Sequence, residues 1–222
     1  DHRDLHLSIR RQRQMCIRDR TSMRETIQIE LNSTTDNPLV FPETTDNQST
    51  IISQGNFHGE ILALCADRMS LALFELGSIS ERRMDQLLDS KKSGLPPFLA
   101  NNSGLESGMM IVQYSAGSAL AEMHGHAAPR TAFSTSTSAG QEDHVSMGAT
   151  ACWNLYQSCI RLSEVLACEL VIACQGIEYT TLNPASFVKS LHKLVRTISP
   201  KLTKDRSIST ELQSCLLYTS PS

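Results

Sequence analysis

The sequence has 222 residues, 40% of them hydrophobic and 19% charged, with a formal net charge of −3. That length allows one domain with a substantial core, and the composition is that of an ordinary globular chain rather than a disordered one. The acidity argues against a nucleic-acid partner held through phosphates, and no apolar stretch nears the ~20 residues needed to cross a bilayer.

Residues 1–20 carry six Arg and three Asp with no Lys, and show no steady helical or strand period. This N-terminus also lacks the apolar core of a signal peptide. As a basic arm it could seek an acidic partner. The run Gln14-Met15-Cys16-Ile17-Arg18-Asp19-Arg20 and the end Cys215-Leu216-Leu217-Tyr218-Thr219-Ser220-Pro221-Ser222 instead resemble translated sequencing-adapter readthrough. Residues 1–22 and 214–222 are therefore expected to be non-native, leaving 23–213 as the native part.

Residues 24–31 suit the end of a helix, with Ile27 and Leu31 four apart. Asn32 to Pro38 is turn chemistry. Val40-Phe41 and Ile51-Ile52 flank a polar loop, which predicts a small β-hairpin near residues 40–52. A helix starts after Gly55-Asn56-Phe57-His58-Gly59, with Ile61, Leu62, Cys65, Met69, Leu73 and Leu76 at helical spacing. Gly77 and Ser78 are expected to interrupt it before it resumes through Leu87-Leu88. Leu95-Pro96-Pro97-Phe98-Leu99 is excluded from a helix interior. Further helices are predicted over about 106–124, from Met147 to about Tyr179, and over about 186–198. Thr131 to Ser138 reads as a loop.

Aromatic residues make up only 5%, so the core must be built mainly from Leu, Ile, Ala, Met and Val, a helix-favouring mix. The expected fold class is all-α, a long-helix bundle with the small hairpin. Seven cysteines are present. Cys65, Cys152, Cys159, Cys168 and Cys174 fall in apolar helical stretches without a C-x-x-C pair, so they are expected to be buried reduced thiols. His124-Gly125-His126 has no third ligand at a recognisable spacing, and no metal is expected.

Two polar segments precede long apolar helices: Gln54 to Gly59, and Gly140-Gln141-Glu142-Asp143-His144-Val145-Ser146-Met147-Gly148. A helix N-terminus suits carboxylates and anionic substrates, because its first N–H groups are unpaired. Glu142 and Asp143 could equally be first-turn acids, and Asn56 or Ser146 caps. A carboxylate pressed between loop and apolar helix would be desolvated and suited to acid–base work. Asn32 to Leu39 is explained as a turn, and its Asn amides could also hold a carboxylate. Ser80-Glu81-Arg82-Arg83 reads first as an ion-paired helix face.

Taken in order, Asn32-Ser33-Thr34-Thr35-Asp36-Asn37-Pro38-Leu39, Gly55-Asn56-Phe57-His58-Gly59 and Ser80-Glu81-Arg82-Arg83 resemble signatures of the aromatic amino acid lyase family. Leu95-Pro96-Pro97-Phe98-Leu99, Ser107-Gly108-Met109-Met110 and Gln141-Glu142-Asp143-His144-Val145-Ser146-Met147 continue the series. His58 and the Gln141 to His144 run are similar to the histidine ammonia-lyase branch, C-terminal part. The resemblance implies a helical, cytoplasmic homotetramer with active sites shared among subunits. It implies elimination of ammonia from L-histidine to give trans-urocanate, with a methylidene-imidazolone (MIO) electrophile made from Ala-Ser-Gly and no metal. Carried over by motif, Glu142 and Gln141 are the catalytic residues, and Phe57, Asn37, Asn56 and His58 bind substrate.

No Ala-Ser-Gly occurs in the sequence, and neither the early catalytic Tyr loop nor the Gln, Tyr and Arg segment for the substrate carboxylate is found. The chain alone is therefore expected to be inactive. Thr131-Ala132-Phe133-Ser134 also departs from the family's Ser-Val-Asp-Ser. Alternatives are a phenylalanine or tyrosine lyase or aminomutase of the same family, or a non-catalytic helical oligomerisation protein. The fumarase and aspartase type would need a Gly-Ser-Ser-x-Met-Pro-x-Lys loop, which is missing.

Overall fold

A computed structural model of the chain describes residues 2–43, 49–181 and 183–219, with side chains within that set from residue 17 to residue 216. The first helix, α1, spans His2–Leu31. The basic stretch without a period is thus helical. Arg, Gln and Met are strong intrinsic helix formers, and the backbone ladder needs no amphipathic pattern. The helix ends at Leu31 as expected. Asn32 Nδ2 and Ser33 Oγ donate to the carbonyls of Gln28 and Ile29 at 2.6 and 2.8 Å, satisfying acceptors the last turn leaves open.

The hairpin pairs β1 (Leu39–Phe41) antiparallel with β2 (Thr50–Ile52), and Val40 stands opposite Ile51. Most of the polar loop expected between them, residues 44–48, lies outside the described residues. Helix α2 covers Glu60–Leu88. It starts at Gly59, whose φ of +70° favours glycine and whose carbonyl accepts from Leu62 and Ala63. The expected break at Gly77-Ser78 does not occur. A Cβ on Gly77 would lie 3.1 Å from Leu120 Cδ1, so this glycine serves close helix packing, not interruption.

A short helix, α3 (Ser90–Ser93), follows, capped by the Asp89 carboxylate accepting from the Lys91 amide. Pro97–Leu99 is a 3₁₀ turn with Phe98 and Leu99 both at φ 54°, consistent with exclusion from a helix. Helix α4 covers Met110–His126 and begins later than the sequence pattern suggested. The amides of Ser107 and Gly108 donate to Asp205 at 2.7 and 3.0 Å, which holds that segment outside the helix. Helix α5 spans Gly148–Ile177, about 45 Å at 1.5 Å per residue. Helix α6 covers Ser186–Ile198, as predicted, and α7 covers Ser209–Thr219. The adapter-like tail thus falls partly on α7, and 220–222 lie outside the described residues.

The chain divides into two compact units. One takes the chain up to Ala72 together with His126–Gln157; the other takes Leu73–Gly125 and the chain from Ser158 onward. The first unit holds a small alanine-lined core in which Ala63, Ala66 and Ala151 pack with Leu155. Small side chains here let two helices approach closely. The second unit carries a larger core that includes Met84, Leu99, Met109, Met123, Val165 and Ile172. Both cores use the aliphatic residues and Met that the low aromatic content required.

Cys65, Cys168 and Cys174 are buried as expected, but Cys152 and Cys159 are exposed. Apolar neighbours in sequence thus did not mean burial for these two thiols. His124 packs against the Phe74 ring, with centroids 5.3 Å apart. Among the described residues no helix is long and apolar enough to cross a membrane.

Candidate active site

The turn Asn32–Pro38 does more than reverse the chain. Asn37 Oδ1 accepts from Ser53 Oγ at 3.1 Å and from the Gln54 amide at 3.2 Å. Gln54 Nε2 donates to the Asp36 carbonyl at 2.7 Å, and its Oε1 accepts from the Asn56 amide at 3.1 Å. Asn56 Nδ2 in turn donates to Glu30 Oε2 at 3.2 Å. One chain of hydrogen bonds therefore ties the end of α1, the Asn37 turn and the Gln54–Asn56 segment together. Of the predicted binding residues, Asn37 and Asn56 are joined through Gln54.

Phe57 and His58 lie in a 3₁₀ turn over Asn56–His58, directly before α2. Phe57 is 47% exposed, which leaves apolar surface available to a ligand. The His58 ring stands edge-on to that of Phe57, with centroids 6.4 Å apart. Its Nε2 lies 2.8 Å from the His144 carbonyl, and the two imidazoles stack with centroids 5.0 Å apart and 17° between planes. A carbonyl oxygen only accepts, so Nε2 carries the proton and donates it. This contact joins two segments 86 positions apart.

Gln141 and Glu142 are exposed. Glu142 pairs with Thr137 in an antiparallel bridge, its carbonyl accepting from the Thr137 amide at 2.9 Å. Val145 is fixed by its amide donating to Ser134 Oγ at 2.9 Å. Glu142 and Asp143 lie ahead of α5 and are not first-turn acids of that helix. Ser146 does act there as a cap, its Oγ accepting from the Gly148 amide at 3.4 Å. The burial expected around Glu142 is not provided by this chain, in which the residue is exposed.

Ser80-Glu81-Arg82-Arg83 is ion-paired, as read, but it is not a surface face. Ser80 is fully buried and Glu81 is 7% exposed. Ser80 Oγ donates to Glu169 Oε2 at 2.5 Å, and Arg83 donates through Nη2 at 2.7 Å and through Nε to the same carboxylate. Glu81 accepts from Gln113 Nε2 at 2.9 Å and from Arg82 Nε at 2.6 Å. The buried Ser80 and Glu81 ends of this partly exposed network hold helices in register.

Two residues near the candidate site were not singled out from sequence. Glu60 follows Gly59 and lies between His58 and His144. Asp67, only 5% exposed, accepts through Oδ2 from the Thr131 amide and hydroxyl at 2.9 and 2.7 Å, anchoring the loop that leads to Glu142. A carboxylate two turns into an apolar helix was the available signal for Asp67. For Glu60 the signal was its place directly after the Gly-Asn-Phe-His-Gly run.

The family model for aromatic amino acid lyases matches residues 12–197, most of the chain. The chain belongs to the aromatic amino acid lyase family. The match begins inside the basic N-terminal stretch and ends within α6. This lyase chain is 47% identical over 178 residues to the histidine ammonia-lyase of Deinococcus radiodurans, covering 80% of the chain and 33% of that relative. It is 39% identical over 192 residues to the Bacillus subtilis histidine ammonia-lyase, covering 86% of the chain and 37% of that protein. The lyase chain thus spans about a third of the length of the curated relatives it matches. Among solved structures it superposes on histidine ammonia-lyase from Trypanosoma cruzi with a TM-score of 0.85 at 37% identity, over 92% of this chain and 40% of that one. Phenylalanine aminomutase from Pantoea agglomerans gives a TM-score of 0.83 at 31% identity, over 90% and 39%. The helical fold with one small hairpin is therefore that of the ammonia-lyases and aminomutases.

Proposed function

We propose that this chain is the C-terminal part of an ammonia-lyase that converts L-histidine to trans-urocanate. The observation that carries the reading is identity of up to 47% to histidine ammonia-lyases, in a chain whose match to the family model, residues 12–197, includes every candidate residue. In this reading Glu142 contacts the imidazole or the amine and moves a proton, with Gln141 beside it. The exposed Phe57 packs against the substrate ring. Asn37 helps hold the carboxylate or amine, and Asn56 and His58 complete the binding side. The complete protein is a cytoplasmic homotetramer.

The family's prosthetic group, methylidene-imidazolone, supplies an electrophile that lets the amine leave. The chain carries no Ala-Ser-Gly, so its own residues cannot form the group, and their roles are confined to binding and proton handling. We infer that the 222 residues alone do not turn over. The same reading keeps 1–22 and 214–222 as non-native additions to a 23–213 lyase segment.

A second reading is an aminomutase or a tyrosine or phenylalanine lyase, favoured by the aminomutase superposition at a TM-score of 0.83. The two are separated by assaying the complete gene product with L-histidine, L-tyrosine and L-phenylalanine. Formation of urocanate supports the first. Deamination or amine migration on tyrosine or phenylalanine, with histidine untouched, supports the second.

A further inference from the structure

From the geometry of His58, Glu60 and His144 we propose a binding site for a borderline divalent cation of the zinc type, placed where the segments of Phe57 and Glu142 are tied together. The site shares His58 with the binding residues proposed above and rests in that respect on the proposed function, while its test does not depend on turnover.

The three side chains offer one ligand atom each, and these atoms lie within 4.8 Å of one another. His58 Nδ1 is 3.8 Å from Glu60 Oε2, and His144 Nε2 is 3.4 Å from the same oxygen. The first separation is too long for a hydrogen bond and the second stands at the outer limit of one. They suit two ligands of one ion: atoms about 2.1 Å from a tetrahedral zinc stand roughly 3.4 Å apart.

The protonation pattern points the same way. His58 Nε2 spends its proton on the His144 carbonyl at 2.8 Å. In the neutral ring, Nδ1 then carries a lone pair, and it faces a carboxylate oxygen that also only accepts. Two acceptors turned on each other repel unless a cation stands between them. Glu60 Oε2 is itself buried with no hydrogen-bond partner, an expensive state for a carboxylate oxygen. A histidine whose second nitrogen donates to a backbone carbonyl is also the usual arrangement of a metal-ligating imidazole.

Two imidazoles and one carboxylate select zinc-like ions over calcium or magnesium, which prefer all-oxygen shells. Three protein ligands leave one coordination position for water. An ion here would clamp the 3₁₀ turn that carries Phe57 to the segment that carries Glu142. Sequence spacing did not show this site, because His144 lies 86 positions from His58.

The probe is Co2+, titrated into the 222-residue chain and into H58Q, E60Q and H144Q, with far-UV circular dichroism recorded on each. The expected result is a single Co2+ per chain with a nitrogen and oxygen ligand spectrum and no thiolate charge-transfer band. Each variant should keep its helical spectrum and lose affinity by at least the ~10–100-fold that disturbing a ligand's partner costs. Where a variant loses its helices, the parent still decides: Zn2+ should protect His58 and His144 from diethylpyrocarbonate. Equal uptake by parent and folded variants, uptake through the thiolate band, or no uptake or protection in the parent overturns the site. The cluster is then a proton-bridged histidine–glutamate group only.

Discussion

Arg83 holds Glu169 from 86 positions away, donating two guanidinium hydrogen bonds to one carboxylate that also accepts from the buried Ser80 hydroxyl. The arrangement joins α2 to α5 within the second unit. Side-chain exposure is 38% for Arg83 and 19% for Glu169, so solvent screens the pair in part. Glu169→Gln removes the charge and leaves Arg83 and Ser80 poorly matched. We expect a loss of about 1–2 kcal/mol, less than the cost of breaking a fully buried pair. Urea denaturation followed by circular dichroism checks it, and an unchanged midpoint would show that the network adds nothing.

Gly108 and Gly117 are expected to respond to alanine with opposite signs. Gly108 has φ +57°, and an added Cβ would sit 2.5 Å from the Phe98 carbonyl oxygen and 2.9 Å from Ala100 Cβ. Backbone strain and overlap together should cost about 2–4 kcal/mol. Gly117 lies inside α4 with nothing within 4 Å of its would-be Cβ. Gly117→Ala should therefore stabilise by about 0.5–1 kcal/mol through helix propensity. Thermal melts of the two variants beside the parent give the comparison.

Acid should loosen the second unit at a defined contact. The amides of Ser107 and Gly108 donate to Asp205 and hold its carboxyl below the usual range. A depressed carboxyl contributes stability that is present above its unfolded value of about 4 and is lost as pH falls through the folded value. Asp205→Asn should thus be less stable than the parent near neutral pH. The difference should close below about pH 4 as the parent's carboxyl protonates. Denaturant midpoints across pH 3 to 7 test the sign; a gap that widens in acid contradicts it.

Much of this architecture was legible because the pattern and the physics agreed. Helix α6 was read to its ends, Ser186 and Ile198, from a clear amphipathic period, and Pro96-Pro97 excluded a helix by lacking amide donors. Where tertiary contacts decide, the sequence misled. Gly77 looked like a break until Leu120 and Met123 were seen packed against it. Cys152 and Cys159 lie among apolar residues yet face outward. At the candidate site the motifs marked both polar segments. The His58–His144 contact was invisible, since no local spacing encodes a pairing across 86 residues. The period-free residues of α1 gave no signal either, although their intrinsic propensity is high.

In the complete protein, Glu142→Ala is expected to lower kcat by about 10²–10⁴-fold, the range for removal of a positioned proton-transfer group. Glu142→Gln should recover binding more than turnover, because the amide keeps hydrogen bonds but not the base. Steady-state kinetics on L-histidine separate the two. A variant with unchanged kcat would remove Glu142 from the proposed machinery.

Whether these residues are part of a working histidine ammonia-lyase, as proposed, is decided by the source DNA upstream of the Met23 codon. The expected result is an open frame that continues upstream past the adapter-like run and encodes an Ala-Ser-Gly preceded by an early Tyr loop. A genuine start at Met23 with no such tripeptide upstream would contradict it and leave a lyase-fold protein without its electrophile.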